Sequence, residues 1–303
     1  MYLEFNLRLF FFLLFEETEA ICAIDLDTIL PCYFISSLKG KIRIYDAHEL
    51  FTEQKEIVTR PGIQKLWLAV ERFAVPKFVN GYTVNNFIAD EFRRRYQVRY
   101  EVVKNMPVFK PYPLNLKPLR PFIIYQGAVN EGRSFETLIP AMKEVDSKLI
   151  ICGNGNFFEQ VKKLVKKHKV SDKVELKGYV PPEELAELTP TAHVAVTLFE
   201  KTGLNQYNSL SNRFFDYIMA GVPQVCVGYP EYEAINDKYG IAYLIYNTDS
   251  STIAQALNNL LQDDVLHNSI RSNCMTAREE LNWGTEEKVL IRFYDRILNV
   301  PFA

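Results

Sequence analysis

The amino-acid sequence predicts an α/β protein of two domains, each built on a parallel sheet. Short apolar β-type segments alternate with longer amphipathic segments along the chain, and a proline-rich stretch divides this alternation into two blocks. Strands that alternate with helices of roughly 10–15 residues form right-handed βαβ units around a parallel sheet. The 303 residues suffice for two domains of ordinary size.

The first block, residues 1–117, forms the predicted amino-terminal domain. Its strands are predicted at Ala20–Ile24, Ile42–Asp46, Phe78–Val84 and Tyr100–Lys104, with helices near Leu30–Leu38, Ile63–Phe73 and Asn86–Tyr96. Four strands are fewer than a doubly wound domain usually contains, so we expect this domain to be incomplete. The segment NMPVFKPYPLNLKPLRP, residues 105–121, spans the end of this block; it holds five prolines in 17 residues and is predicted to be a linker.

The second block, residues 118–282, has enough strands for a complete doubly wound domain. Strands are predicted at Phe122–Tyr125, Lys148–Cys152, Lys173–Lys177, Val194–Phe199, Gln224–Gly228 and Tyr243–Tyr246. Helices are predicted near Phe135–Glu144, Phe157–Lys167, Pro182–Leu188, Ser211–Ala220 and Ser251–Leu261. Residues 283–303 are expected to form a helix that packs back on the amino-terminal domain.

Composition excludes several classes of protein. Hydrophobic residues make up 48% and charged residues 24%, which indicates a globular chain. The net charge of −2 lacks the basic field that a nucleic-acid partner requires. The five cysteines are scattered without a C-x-x-C pair, so they predict neither a zinc site nor a disulfide framework and favour a reducing compartment.

An apolar run, Leu9–Phe15, lies near the start of the sequence. It is far shorter than the roughly 20 residues that span a bilayer, and it lacks the basic leader and small-residue cleavage site of a secretory signal. We therefore expect a buried helix in a cytoplasmic protein. Peripheral contact with the inner face of the membrane is the alternative.

Three strand-to-helix turns of the second block are candidate ligand sites. Helix amino termini at the ends of parallel strands favour anions, because their backbone N–H groups are unpaired. The first turn, in IIYQGAVNEGRSFETL, holds Gly127 and Arg133, whose guanidinium fork suits a diphosphate. The second holds Gly153. In the third, Ser209 or Ser211 is predicted to cap a helix that carries Arg213 and Asp216.

Several of these motifs together resemble a known family. NRFFDYIMAGVPQV is similar to the asparagine–lysine–x–x–glutamate–tyrosine–x–x–x–glycine–x–proline signature of retaining GT-B glycosyltransferases of the "group 1" family. The segments IYDAHELFTE, VVKNMPVF, YQGAVNEGRSFETLIPAM, ICGNGNF, KVELKGYVPPEEL and YGIAYLI follow the order and spacing of that family. The resemblance implies two Rossmann-like domains that face a cleft. It also implies transfer of a sugar from a nucleoside-diphosphate sugar to a glycan or lipid-linked acceptor, as in cell-surface polysaccharide synthesis.

The resemblance also implies roles for individual residues. Asp216 matches the carboxylate that holds the donor ribose, Arg133 matches the phosphate-binding lysine, and His48 matches a histidine that reaches the donor sugar. Two positions depart from the family: Asn208 replaces the glutamate that contacts the sugar, and Ala128 replaces an arginine. The expected catalytic residues are His48 and Arg133. The expected substrate-binding residues are Gly127, Arg133, Gly153, Gly178, Tyr179, Val180, Asn208, Ser209, Ser211, Asn212, Arg213 and Asp216, with Gly178–Val180 at the nucleobase.

Two alternatives stay open from the sequence. The chain is expected to work without a metal or cofactor, since Arg133 and a helix amino terminus could stabilise the leaving diphosphate. The departures at Ala128 and Asn208 also fit a nucleotide-sugar-binding subunit or remnant with little turnover. A GT-B epimerase is disfavoured by the few histidines, 4 in the chain.

Overall fold

The computed structural model describes residues 2–112 and 121–298. The predicted domain boundary at residues 117 and 118, and the last residues of the predicted carboxy-terminal helix, lie outside this description. The described residues form two compact units. The first unit contains residues 2–105, 202–209 and 286–298, and the second contains the remaining described residues between 106 and 285.

The first unit is an α/β layer structure. Its strands are β1 (Ala20–Ile24), β2 (Ile42–Ala47), β3 (Asn80–Thr83) and β4 (Glu101–Val102). Its helices are α1 (Tyr2–Phe15), α2 (Ile29–Lys39), α3 (Lys55–Val58), α4 (Pro61–Ala74), α5 (Asn86–Tyr96), α9 (Gly203–Tyr207) and most of α14 (Trp283–Leu298). All neighbouring strands are parallel, in the order β1-β2-β3-β4.

The second unit is a complete doubly wound domain. Its strands are β5 (Phe122–Gln126), β6 (Lys148–Cys152), β7 (Val174–Gly178), β8 (Val194–Thr197), β9 (Gln224–Val227) and β10 (Ala242–Ile245). Its helices are α6 (Phe135–Ala141), α7 (Phe158–His168), α8 (Pro182–Leu188), α10 (Asn212–Ala220), α11 (Pro230–Tyr239), α12 (Ser250–Gln262) and α13 (Asp264–Ala277). The prediction of an α/β protein with two parallel sheets is confirmed.

The strand order of the second sheet fixes where a ligand can bind. The parallel strands run β10-β9-β8-β5-β6-β7, so the chain winds outward from β5 in one direction and from β8 in the other. The helices that follow β5 and β8 therefore leave the carboxyl ends of these adjacent strands toward opposite faces of the sheet. Such a switch point opens a crevice at the carboxyl edge of the sheet, where doubly wound domains bind ligands.

Each unit has its own apolar core. In the first unit, Tyr45 lies against Phe78, Phe92 and Tyr100, with ring centroids 5.9–6.1 Å apart. Phe293 of α14 packs on Tyr82 of the same unit at 5.2 Å. In the second unit, strands β8 and β9 are buried along their whole length, as expected for a parallel sheet covered on both faces.

Helix α1 differs from the expectation for the apolar amino-terminal run. The prediction of a buried helix is wrong, since no residue of α1 is buried. One side packs against the core of the first unit through Leu9, Phe10, Leu13 and Leu14. The other side exposes apolar side chains, including Leu3, Leu7, Phe11, Phe12 and Phe15. Helix α1 packs mainly against α2, so only the side that meets this helix is covered and the other side faces outward.

No helix in the described part of the chain is both long enough and apolar enough to cross a bilayer. Helix α1 is the most apolar candidate by sequence, and it has 14 residues.

Candidate functional site

Two glycine-containing loops meet at the carboxyl ends of β5 and β6. A Cβ atom on Gly153 would lie 1.8 Å from the carbonyl oxygen of Gly127, and one on Gly155 would lie 2.3 Å from that of Val129. The Gly127 N–H in turn donates to Cys152 O at 2.9 Å. These loops touch through backbone atoms, so only glycine fits at both positions. Gly153 and Gly155 thus hold the β5 loop in place.

The β5 loop ends at Arg133, at the switch point. Its guanidinium lies 4.4 Å from the ring centre of Phe199, which follows β8. Arg213 of α10 lies 5.1 Å from the same ring and 4.4 Å from that of Tyr125. Guanidinium groups are attracted to aromatic faces, which hold them without neutralising their charge. Two cations are therefore brought to one aromatic ring.

Helix α10 begins beside these cations. Ser211 occupies the capping position, its N–H donates to Tyr232 Oη at 3.0 Å, and its Oγ accepts from Arg213 Nε at 3.1 Å. Asn212, the first residue of the helix, is exposed. The Ser211 side chain therefore orients Arg213 rather than capping the helix. The amino terminus of α10 and the two guanidiniums form a positive region.

Asp216 lies one helical turn after Arg213. Its Oδ2 accepts from Gln126 Nε2 at 2.9 Å, and Thr189 Oγ1 donates to Gln126 Oε1 at 2.6 Å. Burial raises the pKa of the Asp216 carboxyl to about 6, although the hydrogen bond from Gln126 and the charges of Arg213 and Lys110 act to lower it. This carboxylate is ready to accept hydrogen bonds from hydroxyl groups.

A cavity of about 320 Å³ opens in front of Asp216 within the second unit. Its apolar lining comes from α8, the end of α10, Pro107 and Val108, and the remaining side chains carry polar groups. The lining residues are Pro107, Val108, Lys110, Tyr112, Gln126, Pro182, Leu185, Ala186, Thr189, Asp216, Met219 and Ala220. An apolar wall with a few polar groups is typical of small-molecule sites, and this one could take a nucleoside.

The segment after β7 follows a tight turn. Gly178 has a φ of 71°, a value that favours glycine, and its carbonyl accepts from Gly153 N at 2.6 Å. Tyr179 is 71% exposed, whereas Val180 is buried. Tyr179 is therefore accessible to a ligand, and Val180 contributes to the core.

His48 lies in the first unit, in the loop after β2. Its Nε2 is 3.1 Å from Asp46 Oδ1, and its Nδ1 is 3.3 Å from Asn105 Nδ2. The hydrogen bond to Asp46 raises the pKa of His48 above its usual value, against the effect of burial. Its backbone N–H donates to Asp25 Oδ1 at 2.9 Å, and burial raises the pKa of Asp25 to about 6. Both ring nitrogens thus have partners in this state.

The expected site residues divide between the two units. His48, Asn208 and Ser209 belong to the first unit, and the others belong to the second. Asn208 is 5% exposed, its Nδ2 donates to Leu204 O at 2.9 Å, and its carbonyl accepts from Asn85 Nδ2 at 2.8 Å. Ser209 Oγ donates to Gln206 O at 3.0 Å. In this structure, the side chains of Asn208 and Ser209 both donate hydrogen bonds to nearby backbone carbonyl groups.

Sequence reasoning missed the residues around Asp216, chiefly Gln126 and Thr189. A signal for Gln126 was present, since it is the one polar side chain at the end of the apolar strand FIIYQ.

Among the described residues, no group of three or more His, Cys, Asp or Glu side chains could hold a metal ion. The five cysteines are free thiols.

Comparison with known proteins agrees with the resemblance seen in the sequence. The family model "Glycosyl transferases group 1" matches residues 111–276, which is more than half of the chain. The chain therefore belongs to this family of glycosyltransferases.

Individual relatives are distant. Poly(glycerol-phosphate) alpha-glucosyltransferase of Bacillus subtilis is 27% identical over 192 residues, covering 57% of this chain and 27% of the relative. The chain thus matches about a quarter of the length of that curated protein.

Solved structures share the fold. HepE of Anabaena, solved with UDP, has 11% identity and a TM-score of 0.72 over 97% of this chain and 82% of its own. Sucrose-phosphate synthase of Thermosynechococcus elongatus has 15% identity and a TM-score of 0.74 over 93% and 74%. The two parallel-sheet α/β units are those of the GT-B fold.

Proposed function

We propose that the second unit binds a nucleoside-diphosphate sugar and that the protein transfers this sugar to a glycan or lipid-linked acceptor in polysaccharide synthesis. The observation that carries the proposal is the spacing on α10: Arg213 and Asp216 lie one turn apart, with Arg133 at the same aromatic ring as Arg213. In a donor nucleotide the diphosphate and the ribose hydroxyls are also close neighbours, so the cations can face the diphosphate while Asp216 faces the ribose. Membership of the family supports the same activity.

The chemistry follows from these groups. The Asp216 carboxylate accepts hydrogen bonds from ribose hydroxyls, and Arg133 and the amino terminus of α10 bind the diphosphate. The bond between the anomeric carbon and the diphosphate oxygen breaks, and the diphosphate leaves with the electron pair. The acceptor oxygen bonds the anomeric carbon, and its proton passes to the leaving diphosphate oxygen. Cations stabilise the leaving group, so we propose that no metal is required.

His48 is proposed, from the resemblance alone, to contact the donor sugar. For this role its ring must exchange a local hydrogen bond, to Asp46 or Asn105, for one to the substrate. The resemblance also implies that the anomeric configuration is retained.

The direct test is calorimetry with UDP, GDP and their glucose conjugates, followed by incubation with acceptors and detection of the released nucleoside diphosphate. The proposal expects binding of one nucleotide series and release that continues when a chelator is added. Absence of binding to every nucleotide would refute it. Release that stops with the chelator and returns with Mg²⁺ would refute the metal-independent chemistry.

A second candidate is a nucleotide-sugar-binding subunit with little or no turnover. The engaged side chain of Asn208 and the methyl group of Ala128 favour it, because the family has a carboxylate and a cation at these positions. The same experiment separates the two, since this subunit would bind donor and release no nucleoside diphosphate with any acceptor.

We also propose that the protein works in the cytoplasm and contacts the inner face of the membrane through the exposed side of α1. Phe12 and Phe15 are 60% and 81% exposed, and apolar side chains on a helix surface can insert between lipid headgroups. Co-sedimentation with vesicles should therefore fall for a Phe12→Ser, Phe15→Ser double variant. A Val265→Ser variant, at an exposed position of the second unit, is the control. Equal vesicle binding by this control and by the double variant would refute the contact.

A further inference from the structure

A chain of three polar side chains ends at the Asp216 carboxylate. Thr189 Oγ1 bonds Gln126 Oε1 at 2.6 Å, and Gln126 Nε2 bonds Asp216 Oδ2 at 2.9 Å. Thr189 and Gln126 are 4% and 7% exposed, and all three line the cavity. The Gln126 backbone N–H also donates to Tyr217 Oη at 2.9 Å, so the end of β5 is tied to α10 twice.

The chemistry of these groups selects one orientation of the Gln126 amide. An ionised carboxylate only accepts hydrogen bonds, so it requires the NH₂ group of Gln126 to face it. The amide oxygen then faces Thr189, whose hydroxyl satisfies it by donating. If the Gln126 amide were turned over, its oxygen would face the Asp216 carboxylate oxygen, and both of these atoms are acceptors. Thr189 and the ionised Asp216 therefore stabilise the same arrangement.

The second oxygen of Asp216 is left for a ligand. Within the described residues, Oδ1 has no hydrogen-bond donor, whereas Oδ2 has Gln126. The charged and titratable groups around the carboxyl are Lys110 and Tyr112 from the segment before β5, and Arg213 and Tyr217 from α10. The side-chain hydrogen bond to Asp216 comes from Gln126, whereas Arg213 Nε donates to Ser211 Oγ. The neutral side-chain amide of Gln126 thus orients the Asp216 carboxylate.

We propose that Gln126 and Thr189 are positioning residues for ribose recognition: they hold Asp216 so that its free oxygen faces a ribose hydroxyl. The inference rests on the proposed function, which assigns Asp216 to the ribose. It adds that discrimination between ribose and deoxyribose depends on two side chains that need not touch the ligand's hydroxyls.

The same unit contains a matched control pair. Thr197 Oγ1 donates to Gln224 Oε1 at 2.7 Å, and Gln224 Nε2 donates to Phe214 O at 3.1 Å. Both side chains are fully buried, and neither lines the cavity. Substitution here removes the same threonine–glutamine hydrogen bond without touching Asp216.

The test compares the affinities of UDP, 2′-deoxy-UDP and 3′-deoxy-UDP by calorimetry, with GDP and its deoxy forms if the protein binds guanine instead. Wild type should favour the ribonucleotide by about tenfold over at least one deoxy form, since a hydrogen bond to a charged acceptor is lost. Gln126→Leu and Thr189→Val should reduce this ratio to about two or less. Gln224→Leu and Thr197→Val should retain it.

Each outcome decides the inference. A ratio that stays near the wild-type value in both Gln126→Leu and Thr189→Val, while overall affinity falls, means a purely structural role and overturns it. A similar loss of the ratio in the control pair overturns it as well. If wild type binds no nucleoside diphosphate, the proposed function fails and the inference fails with it. If wild type binds but does not discriminate, only the inference and the ribose role fail.

Discussion

Gly153 lies so close to Gly127 that a Cβ atom at position 153 would stand 1.8 Å from the Gly127 carbonyl oxygen. The contact joins the loops after β5 and β6, and the first of these carries Arg133. The backbone of both loops must move to accommodate any side chain at this position. Its φ of 152° adds strain for other residues.

We therefore expect Gly153→Ala to lower the free energy of unfolding by about 3 kcal/mol or more, measured by urea denaturation. Gly62→Ala is the control, because Gly62 lies in α4 and a methyl group there would meet no neighbouring atom within 4 Å. Alanine is the better helix former, so that variant should be unchanged or more stable by up to about 1 kcal/mol. Equal stability of Gly153→Ala and wild type would contradict the loop contact.

Asp216 should make the protein less stable at neutral pH than it is in acid. Burial raises its pKa from 3.8 to about 6, so the folded state holds a proton that the unfolded state has lost between about pH 4 and 6. The stability from this group is complete below about pH 4 and is lost as the pH rises through 6. Asp216→Asn should therefore raise the free energy of unfolding by about 2 kcal/mol at pH 7.5 and much less at pH 4.

The same substitution should weaken UDP binding by roughly tenfold, since an amide oxygen is a poorer acceptor than a carboxylate. A more stable protein that binds less well would show that the carboxylate is retained for the ligand. Asp146→Asn, at an exposed position, is the control and should change neither quantity. If Asp216→Asn binds UDP as wild type does, Asp216 has no role at the ribose.

The sequence predicted most of the regular structure, because the local signals are strong. Helix α5 has its predicted bounds, and the structure shows that Asn85 caps it, since Asn85 Oδ1 accepts from Ile88 N at 2.9 Å. Strands β1 and β6 also have their predicted bounds. Helix α11 was not predicted, although Pro230 at its start and Gly240 after its end are ordinary boundary signals.

What sequence could not predict are contacts between distant residues. Residues 202–209 belong to the first unit, and two of the hydrogen bonds that join them to it are Asn85 Nδ2 to Asn208 O, 123 residues away, and Leu50 N to Asn205 Oδ1. The environment of Asp216 depends on Gln126, 90 residues earlier. Arg213 and Arg133 were each identified from the sequence, but their shared ring, Phe199, was not, because it follows a different strand.

Arg133 should discriminate between charged and neutral ligands. Arg133→Ala should weaken UDP by about tenfold or more and uridine by about twofold or less, because only UDP offers the guanidinium an anion. Arg133→Lys keeps the charge without the planar fork, so its UDP affinity should lie between those of alanine and wild type. Affinity is measured by calorimetry. Equal losses for UDP and uridine would mean that Arg133 acts through packing on Phe199.

His48 should matter for transfer more than for donor binding. His48 belongs to the first unit, whereas the proposed ribose and diphosphate contacts belong to the second. His48→Ala should therefore lower the rate of sugar transfer by at least about tenfold and change the Kd for UDP by about twofold or less. His168→Ala, at the partly exposed carboxyl end of α7 in the second unit, is the control and should change neither.

The bond between His48 and Asp46 gives this last prediction a pH dependence. Asp46 raises the pKa of His48, so Asp46→Asn should lower it, and the protonated form should disappear at a lower pH. The stability that protonated His48 gives is complete below about pH 6.5 and is lost as the pH rises through the folded-state pKa. NMR titration of the ring and the pH profile of transfer should move together in Asp46→Asn. A ring pKa that falls while the profile stays in place would show that His48 does not limit transfer.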